Sequence, residues 1–303
     1  MLRVSVIIPC YNLGEYIHEA IDSVLAQTLR DFEIIVVNDG STERRTNLIL
    51  AEINHPKVKV ISTDNQGLPR ARNNGIAEAR GEYILPLDAD DKIAPTYLEK
   101  ATKILDENEN VGIVYCRAET FGDENLSWDL PEYELSKILV DNVIFSTAFF
   151  RRRDWETTGG YKPTMIYGWE DYEFWMSLIE LKREIYRIPE SLFFYRKRCD
   201  SMTEKIADEH FYYSYKEIVR NHPQLYIDNI DVLFRQINSL RGLIAEKKRQ
   251  DSKSFVFNLK FLELGIRFPM GFFSLRSRLK TLASRFSSLF GQSRKAKSAA
   301  SKL

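Results

Sequence analysis

The chain has 303 residues, 44% hydrophobic and 12% aromatic, and its 43 basic and 43 acidic side chains cancel. That size and composition exclude a disordered or fibrous polymer and allow one large domain or two modest ones, each with a full core. Three widely spaced cysteines, Cys10, Cys116 and Cys199, exclude a disulfide framework or a zinc site and fit a reducing compartment.

The first third alternates strand and helix signals. Val4 to Ile8 reads as a strand ended by Pro9, so the N-terminus carries no signal peptide pattern. Ile17, Ala20, Ile21, Val24 and Leu25 recur at helical spacing. Glu33 to Val37 is a second apolar strand, closed by the turn Asn38-Asp39-Gly40-Ser41. A polar helix to about Asn54, a strand at Val58–Ile61, a helix around Pro69–Arg80 and a strand at Tyr83–Leu87 follow. Continuous apolar strands between helices predict an α/β fold, a Rossmann-like, mostly parallel sheet covered on both faces. Ligands gather at the carboxyl ends of such strands. Pro9-Cys10-Tyr11-Asn12, Asn38-Asp39-Gly40 and Asp88-Ala89-Asp90-Asp91 all lie at those ends.

Further on, Thr96–Asn108 reads as a helix and Val111–Cys116 as a strand. Glu119 to Arg153 is mixed, with short strands around Val143–Arg151. A helix starts at Glu170, with Phe174, Trp175, Leu178 and Ile179 on one face. Residues 205–250 look helical and polar, and no internal repeat is present.

Three carboxylates at the end of the buried strand Tyr83–Leu87 are costly unless a cation sits there. Mg²⁺ or Mn²⁺ suits them, since hard cations are shared between one or two carboxylates and substrate phosphates. The plainer alternative is an acidic loop leading into the helix near Pro95. Glu170 and Asp171 could favour the positive end of a helix dipole, or one could act as a general base. Arg70 and Arg72 start a helix, where arginine binds phosphate, pairs with the acidic loops or is simply solvated. Asp39 is either an ordinary turn aspartate or a partner for a nucleotide base. The four histidines show no ligand spacing.

The ordered set of motifs resembles the family-two inverting glycosyltransferases. It comprises Val6-Ile7-Ile8-Pro9-Cys10-Tyr11-Asn12, Val36-Val37-Asn38-Asp39-Gly40-Ser41-Thr42, Asn65-Gln66-Gly67 with Ala71-Arg72-Asn73-Asn74-Gly75, Asp88-Ala89-Asp90-Asp91, and Gly159-Gly160-Tyr161 leading into Glu170-Asp171. Each motif alone is weak, while the ordered set, over roughly residues 1–200, is specific. The resemblance implies an A-type nucleotide-sugar-binding fold and transfer from a nucleoside diphosphate sugar, most commonly a UDP-sugar. It places Pro9, Tyr11, Asp39 and Arg72 around the nucleotide and Asp88 toward the ribose and base. It gives Asp90 the metal that bridges the diphosphate, and Asp171 the catalytic base with Glu170 beside it. Similar enzymes often carry Tyr-Arg-x-His, whose His helps bind the metal. Here Tyr195-Arg196-Lys197-Arg198 has Arg198 at that place, and arginine cannot ligate a metal. The expectation is a metal held mainly by Asp90 and the diphosphate, with Arg198 or Lys197 touching phosphate. A Gln-x-x-Arg-Trp stretch, found in processive relatives, is absent, which favours single-sugar transfer.

The balanced charge hides an asymmetry. Residues 253–303 hold 11 basic side chains and one acid, leaving 32 basic and 42 acidic in the rest of the chain. Leu275, Leu279, Leu282, Phe286 and Leu289 share one helical stripe with Phe268 and Phe272, flanked by Arg276, Arg278, Lys280 and Arg285. This fits a helix lying on an anionic membrane surface, or one packed on the body or a partner. Nucleic acid is not expected, because the basic residues are confined to the tail. No apolar run approaches the roughly 18–20 residues of a membrane span. The expected organisation is a nucleotide-sugar half (1–116), an acceptor half (117–204), a helical region (205–252) and a basic amphipathic tail (253–303). The expected protein is a cytoplasmic inverting glycosyltransferase, peripheral on the inner membrane face. It would add one sugar to a lipid-linked or cell-surface glycan precursor. Transfer to polyprenyl phosphate and a catalytically silent nucleotide-sugar or glycan-binding protein are the alternatives.

Overall fold

In the computed structural model the described residues are 2–128, 130–199, 201 and 207–263, with side chains described through residue 247. β1 (Val4–Cys10) and β2 (Phe32–Asp39) are buried at every position. Strands without polar alternation are stable only where both sheet faces are covered, and these two form the centre of the parallel half. β1 runs parallel to β2 from Val4 opposite Phe32 to Cys10 opposite Asn38. β3 (Val58–Thr63) extends the parallel order beyond β2, and β4 (Tyr83–Pro86) lies along the other side of β1.

Parallel neighbours need crossover helices, here α1 (Ile17–Leu25), α2 (Arg44–Glu52) and α3 (Leu68–Ala77). α1 buries Ile17, Ala20, Ile21 and Val24, one stripe at helical spacing. Each fully buried large aliphatic side chain there contributes about 1.5–3 kcal/mol. α3 lies directly on β1 and β2 because Gly75 has no side chain; a Cβ there would meet Ile7 Cγ2 at 2.5 Å.

The second half is built from β5 (Lys92–Ile93), α4 (Tyr97–Glu107), β6 (Val111–Gly122), β7 (Ser127–Trp128), α5 (Leu135–Ile138), β8 (Phe149–Arg151), α6 (Arg152–Thr158), α7 (Glu170–Glu180) and β9 (Glu184–Lys197). The sheet order is β3-β2-β1-β4-β8-β6-β9-β5, with β7 beside β6. β8 is antiparallel to β4 and β6, and β5 to β9, in ladders of two residue pairs each. The long ladder of this half is again parallel, β6 with β9 from Val111 opposite Glu184 to Gly122 opposite Lys197. The fold is therefore α/β and mostly parallel, with short antiparallel joints.

The apolar pattern of β9 is broken at Pro189-Glu190-Ser191, and the sequence does not announce this strand. The ladder slips at that point, from Cys116 opposite Ile188 to Arg117 opposite Ser191. Such a bulge lets a strand continue past residues that cannot pair. β9 ends by carrying Arg196 up to the carboxyl-end loops.

The chain divides into two compact units, Met1–Ile230 and Asp231–Leu303. The first unit includes α8 (Asp208–Asn221) and α9 (Pro223–Asp228), so part of the helical region expected at 205–252 belongs to this body. Tyr215 donates to the Leu139 carbonyl at 2.7 Å, and Trp169 meets Phe211 edge-on at 4.6 Å. The second unit contains nearly all of α10 (Ile230–Glu263). Among the described residues no helix is long and apolar enough to cross a membrane. The stripe from Phe268 to Leu289, and the membrane surface expected for it, lie outside the described residues.

Candidate active site

Because β1, β2 and β4 are parallel and adjacent, their carboxyl ends deliver three loops to one place. Asn12 takes a left-handed conformation (φ 56°) just after β1. Its side-chain oxygen accepts from the Thr42 and Glu43 amides at 2.9 and 3.0 Å, while its own amide donates to Ser41 Oγ at 3.1 Å. Asn12 thus clamps the loop after β1 to the loop after β2. Pro9 is buried within β1, whereas Tyr11 is 44% exposed on the loop.

Asp39 is buried at the end of β2, and both of its oxygens are engaged. Oδ1 accepts from the Gln66 amide at 3.0 Å and Thr63 Oγ1 at 3.3 Å; Oδ2 accepts from the Gly67 amide at 3.0 Å. Next to it, Gly40 has φ 66°, and a Cβ there would sit 2.4 Å from the Asn65 amide nitrogen. Asp39 therefore fixes the Asn65–Gly67 turn, and with it the start of α3.

The three carboxylates after β4 diverge. Asp91 is almost fully buried, and its Oδ1 accepts the Arg196 amide at 2.8 Å. Asp90 Oδ2 lies 2.9 Å from Arg198 Nη1, while its carbonyl accepts Arg196 Nε at 2.8 Å. Burial and the nearby Asp88 push the Asp90 carboxyl up to about 6, against the pull of Arg198. Asp88 is the most exposed of the three; Arg72 Nη2 reaches its Oδ1 at 2.8 Å, and Ser146 Oγ its Oδ2 at 3.5 Å. Among the described residues no group of three or more His, Cys, Asp or Glu side chains is arranged to hold a metal ion. The residues present do not fit a protein-built Mg²⁺ or Mn²⁺ cage. Asp88 and Asp90 both keep partly exposed carboxylates there, and a guanidinium already holds each of them.

Arg72 is 1% exposed and joins two loops that are far apart in sequence. Its Nη1 donates to Glu170 Oε1 at the start of α7, and its Nη2 to Asp88. Tyr161 lies under the guanidinium, 5.6 Å to the ring centroid. Burial opposes the charge on Arg72, but Asp88 and Glu170 outweigh it. The Gly159-Gly160-Tyr161 segment is anchored by Asn73, whose Oδ1 accepts Trp155 Nε1 at 2.9 Å and the Tyr161 amide at 3.0 Å.

α7 begins after Gly168 (φ 94°) and Trp169, which is itself left-handed at φ 66°. A bulky residue in that region costs on the order of 1–3 kcal/mol, and such strain clusters at functional sites. Glu170 and Asp171 follow, at the positive end of the helix. Glu170 turns inward to Arg72. Asp171 is half-buried; Asn142 Nδ2 donates to its Oδ2 at 3.2 Å and the Tyr172 amide to its Oδ1 at 2.7 Å. Burial first, and Glu170 second, push the Asp171 carboxyl up to about 7, with Arg72 opposing. A carboxylate titrating near neutrality can both take and release a proton.

The expected site residues fall into two groups. Tyr11, Asp88, Asp90, Arg198 and Asp171 keep partial exposure, while Pro9, Asp39, Arg72 and Glu170 are buried. For Arg72 and Glu170 the geometry gives a bridge between loops in place of direct ligand contact. Asn12, Asn73, Asn142 and Arg196 also build the site. For Asn12, Asn73 and Arg196 the only sequence signal is a polar residue inside a motif, and Asn142 has none.

The model of glycosyl transferase family 2 matches residues 5–172. An uncharacterised glycosyltransferase, EpsJ of Bacillus subtilis, is 30% identical over 233 residues, 70% of this chain and 67% of that protein. Chondroitin synthase of Pasteurella multocida is 30% identical over 59% of this chain, which covers only 19% of the synthase's length. Among solved structures, S. aureus TarS 1-349 in complex with UDP-GlcNAc superposes with a TM-score of 0.63 at 22% identity, over 78% of this chain and 72% of that one. The likeness to TarS shows the same fold. With the family model covering more than half of its residues, the chain belongs to glycosyl transferase family 2.

Proposed function

We propose that this glycosyltransferase moves one sugar from a nucleoside diphosphate sugar, with UDP as the nucleotide, to an acceptor hydroxyl with inversion at the anomeric carbon. One observation carries this: Arg72 ties Asp88 of the loop after β4 to Glu170 beside Asp171. A single guanidinium thus sets the donor loop and a near-neutral carboxylate side by side. Holding both reactants in register converts a two-body encounter into an oriented one.

In this mechanism Asp171 takes the proton from the acceptor O–H as that oxygen bonds to the anomeric carbon. The bond from that carbon to the β-phosphate oxygen breaks, and its electron pair leaves with the nucleoside diphosphate. Tyr11 supplies a face for the base, Asp88 faces the ribose, and Asp39 holds the turn that closes on the nucleotide. Arg72 and Glu170 act as positioning residues. The donor class is supported by the TarS complex with UDP-GlcNAc, and transfer to a growing glycan by the relationship to a chondroitin synthase. A glycan or lipid-linked acceptor completes the reading, with the basic residues 253–303 meeting an anionic membrane surface.

Melting curves with a panel of UDP-, GDP-, dTDP- and CMP-sugars test the donor class. Saturating UDP-sugar, at about 100 times Kd, should stabilise the fold by about 2.7 kcal/mol. No rise in melting temperature with any nucleotide sugar contradicts the proposal.

A further inference from the structure

Arg198 occupies the charge position that the Asp88–Asp91 loop was expected to reserve for a divalent cation. It follows directly on β9, two residues after Arg196, so both arginines share a side of that strand. Arg196 pins the backbone of the loop through the Asp90 carbonyl and the Asp91 carboxylate. With the loop fixed, Arg198 Nη1 meets Asp90 Oδ2 at 2.9 Å. On its other side the Arg198 guanidinium lies 5.0 Å from the ring centroid of Tyr16, at the entry of α1. The Arg196 guanidinium is also over Tyr16, at 4.8 Å, and pairs with Glu19 at 2.9 Å. The head group is therefore held between the loops that follow β1 and β4, where the parallel half of the sheet presents its ligand. The side chain is only 15% exposed.

We infer that Arg198, held by Asp90, is the resident cation that receives the donor's diphosphate, so that nucleotide binding does not require a divalent metal. This rests on the donor reading above. A guanidinium has five donors in a planar fork that matches phosphate oxygens, and it stays protonated throughout the working pH range. It can hold a carboxylate and a phosphate oxygen together, as a bridging cation does. As the sugar–phosphate bond breaks, the charge on the leaving diphosphate grows beside a fixed positive group, which favours departure. Asp90 then serves to orient Arg198.

Calorimetric titration of UDP into the full-length protein, with EDTA or with Mn²⁺, tests the inference alongside Arg198→Ala and Arg198→His. Melting curves of each variant check folding. The wild type should bind UDP with nearly the same Kd in EDTA and in Mn²⁺. Arg198→Ala should weaken binding by about tenfold or more in EDTA, the loss of a charge-assisted hydrogen bond. Arg198→His, which restores a metal-binding side chain, should recover affinity with Mn²⁺ and lose it in EDTA. Wild-type binding that collapses in EDTA, or Arg198→Ala binding like wild type there, overturns the inference and leaves the donor reading standing. UDP binding by no variant in either condition overturns both.

Discussion

Two carboxylate loops face each other in this enzyme, and they are built differently. The loop after β4 carries Asp88, Asp90 and Asp91, with arginine contacts to each: Arg72 to Asp88, Arg198 to Asp90, and the Arg196 backbone to Asp91. The loop entering α7 carries Glu170 and Asp171. Arg72 holds Glu170, but among the described residues the hydrogen bonds to Asp171 come from neutral donors, Asn142 and the Tyr172 amide. The consequence is electrostatic. Burial pushes both Asp90 and Asp171 upward, but Asp90, paired with Arg198, stays lower, at about 6, than Asp171, at about 7. The first loop is suited to holding an anion's counter-charge, the second to exchanging a proton.

The sharpest way to break this contrast is to remove the exchanging group. Asp171→Asn should lower turnover by about 10²- to 10⁴-fold, the usual worth of a general base, while UDP affinity stays at the wild-type level. Near-normal turnover would mean that the acceptor oxygen arrives already ionised, as in a polyprenyl phosphate.

Removing the bridge attacks both loops at once. Arg72→Ala leaves Glu170 and Asp88 without their shared cation, and breaking a buried pair this way costs about 3–5 kcal/mol. Urea denaturation would measure it. An unchanged midpoint would show that the bridge contributes nothing to the fold.

Asn142→Ala should have a smaller effect, slowing turnover by about tenfold through the loss of one hydrogen bond worth roughly 0.5–1.5 kcal/mol and of carboxylate orientation. KM for the donor should stay constant. A change in donor KM without a change in kcat would place Asn142 in donor binding instead.

A further effect is on stability against pH. The folded Asp171 carboxyl, near 7, lies above its unfolded value of about 3.9. The folded state therefore binds the proton more tightly, and stability from this group falls as pH rises from about 4 to about 7. Asp171→Asn should flatten that part of the curve; an equally steep fall in the variant would assign it to other groups.

The carboxylates of both loops could be read from the sequence, but the contacts that set them apart could not. β1, β2, β4 and α1 follow from local apolar patterns, and the carboxyl ends of the parallel strands identify the ligand side. Arg72 shows why local patterns stop short. The chain reveals an arginine at a helix start, but its burial depends on Glu170, 98 residues away. Asn142 lies in the mixed stretch after β6, where no periodicity sets it apart from other loop residues. β9 was hidden because Pro189-Glu190-Ser191 interrupts it, and the bulge that rescues its pairing belongs to the sheet as a whole. Arg198 stands out in the sequence as a departure from Tyr-Arg-x-His, while its contact with Asp90 depends on β9 being in place.

The pH dependence of kcat/KM tests the central contrast most directly, since it reports the groups of the free enzyme. It should rise with pH to a plateau, with a midpoint near the value of about 7 for Asp171. Glu170→Gln should move that midpoint lower by removing the neighbouring negative charge. A profile that is flat from about pH 5 to 8, or a midpoint near the ordinary aspartate value of about 4, would contradict a proton-exchanging Asp171.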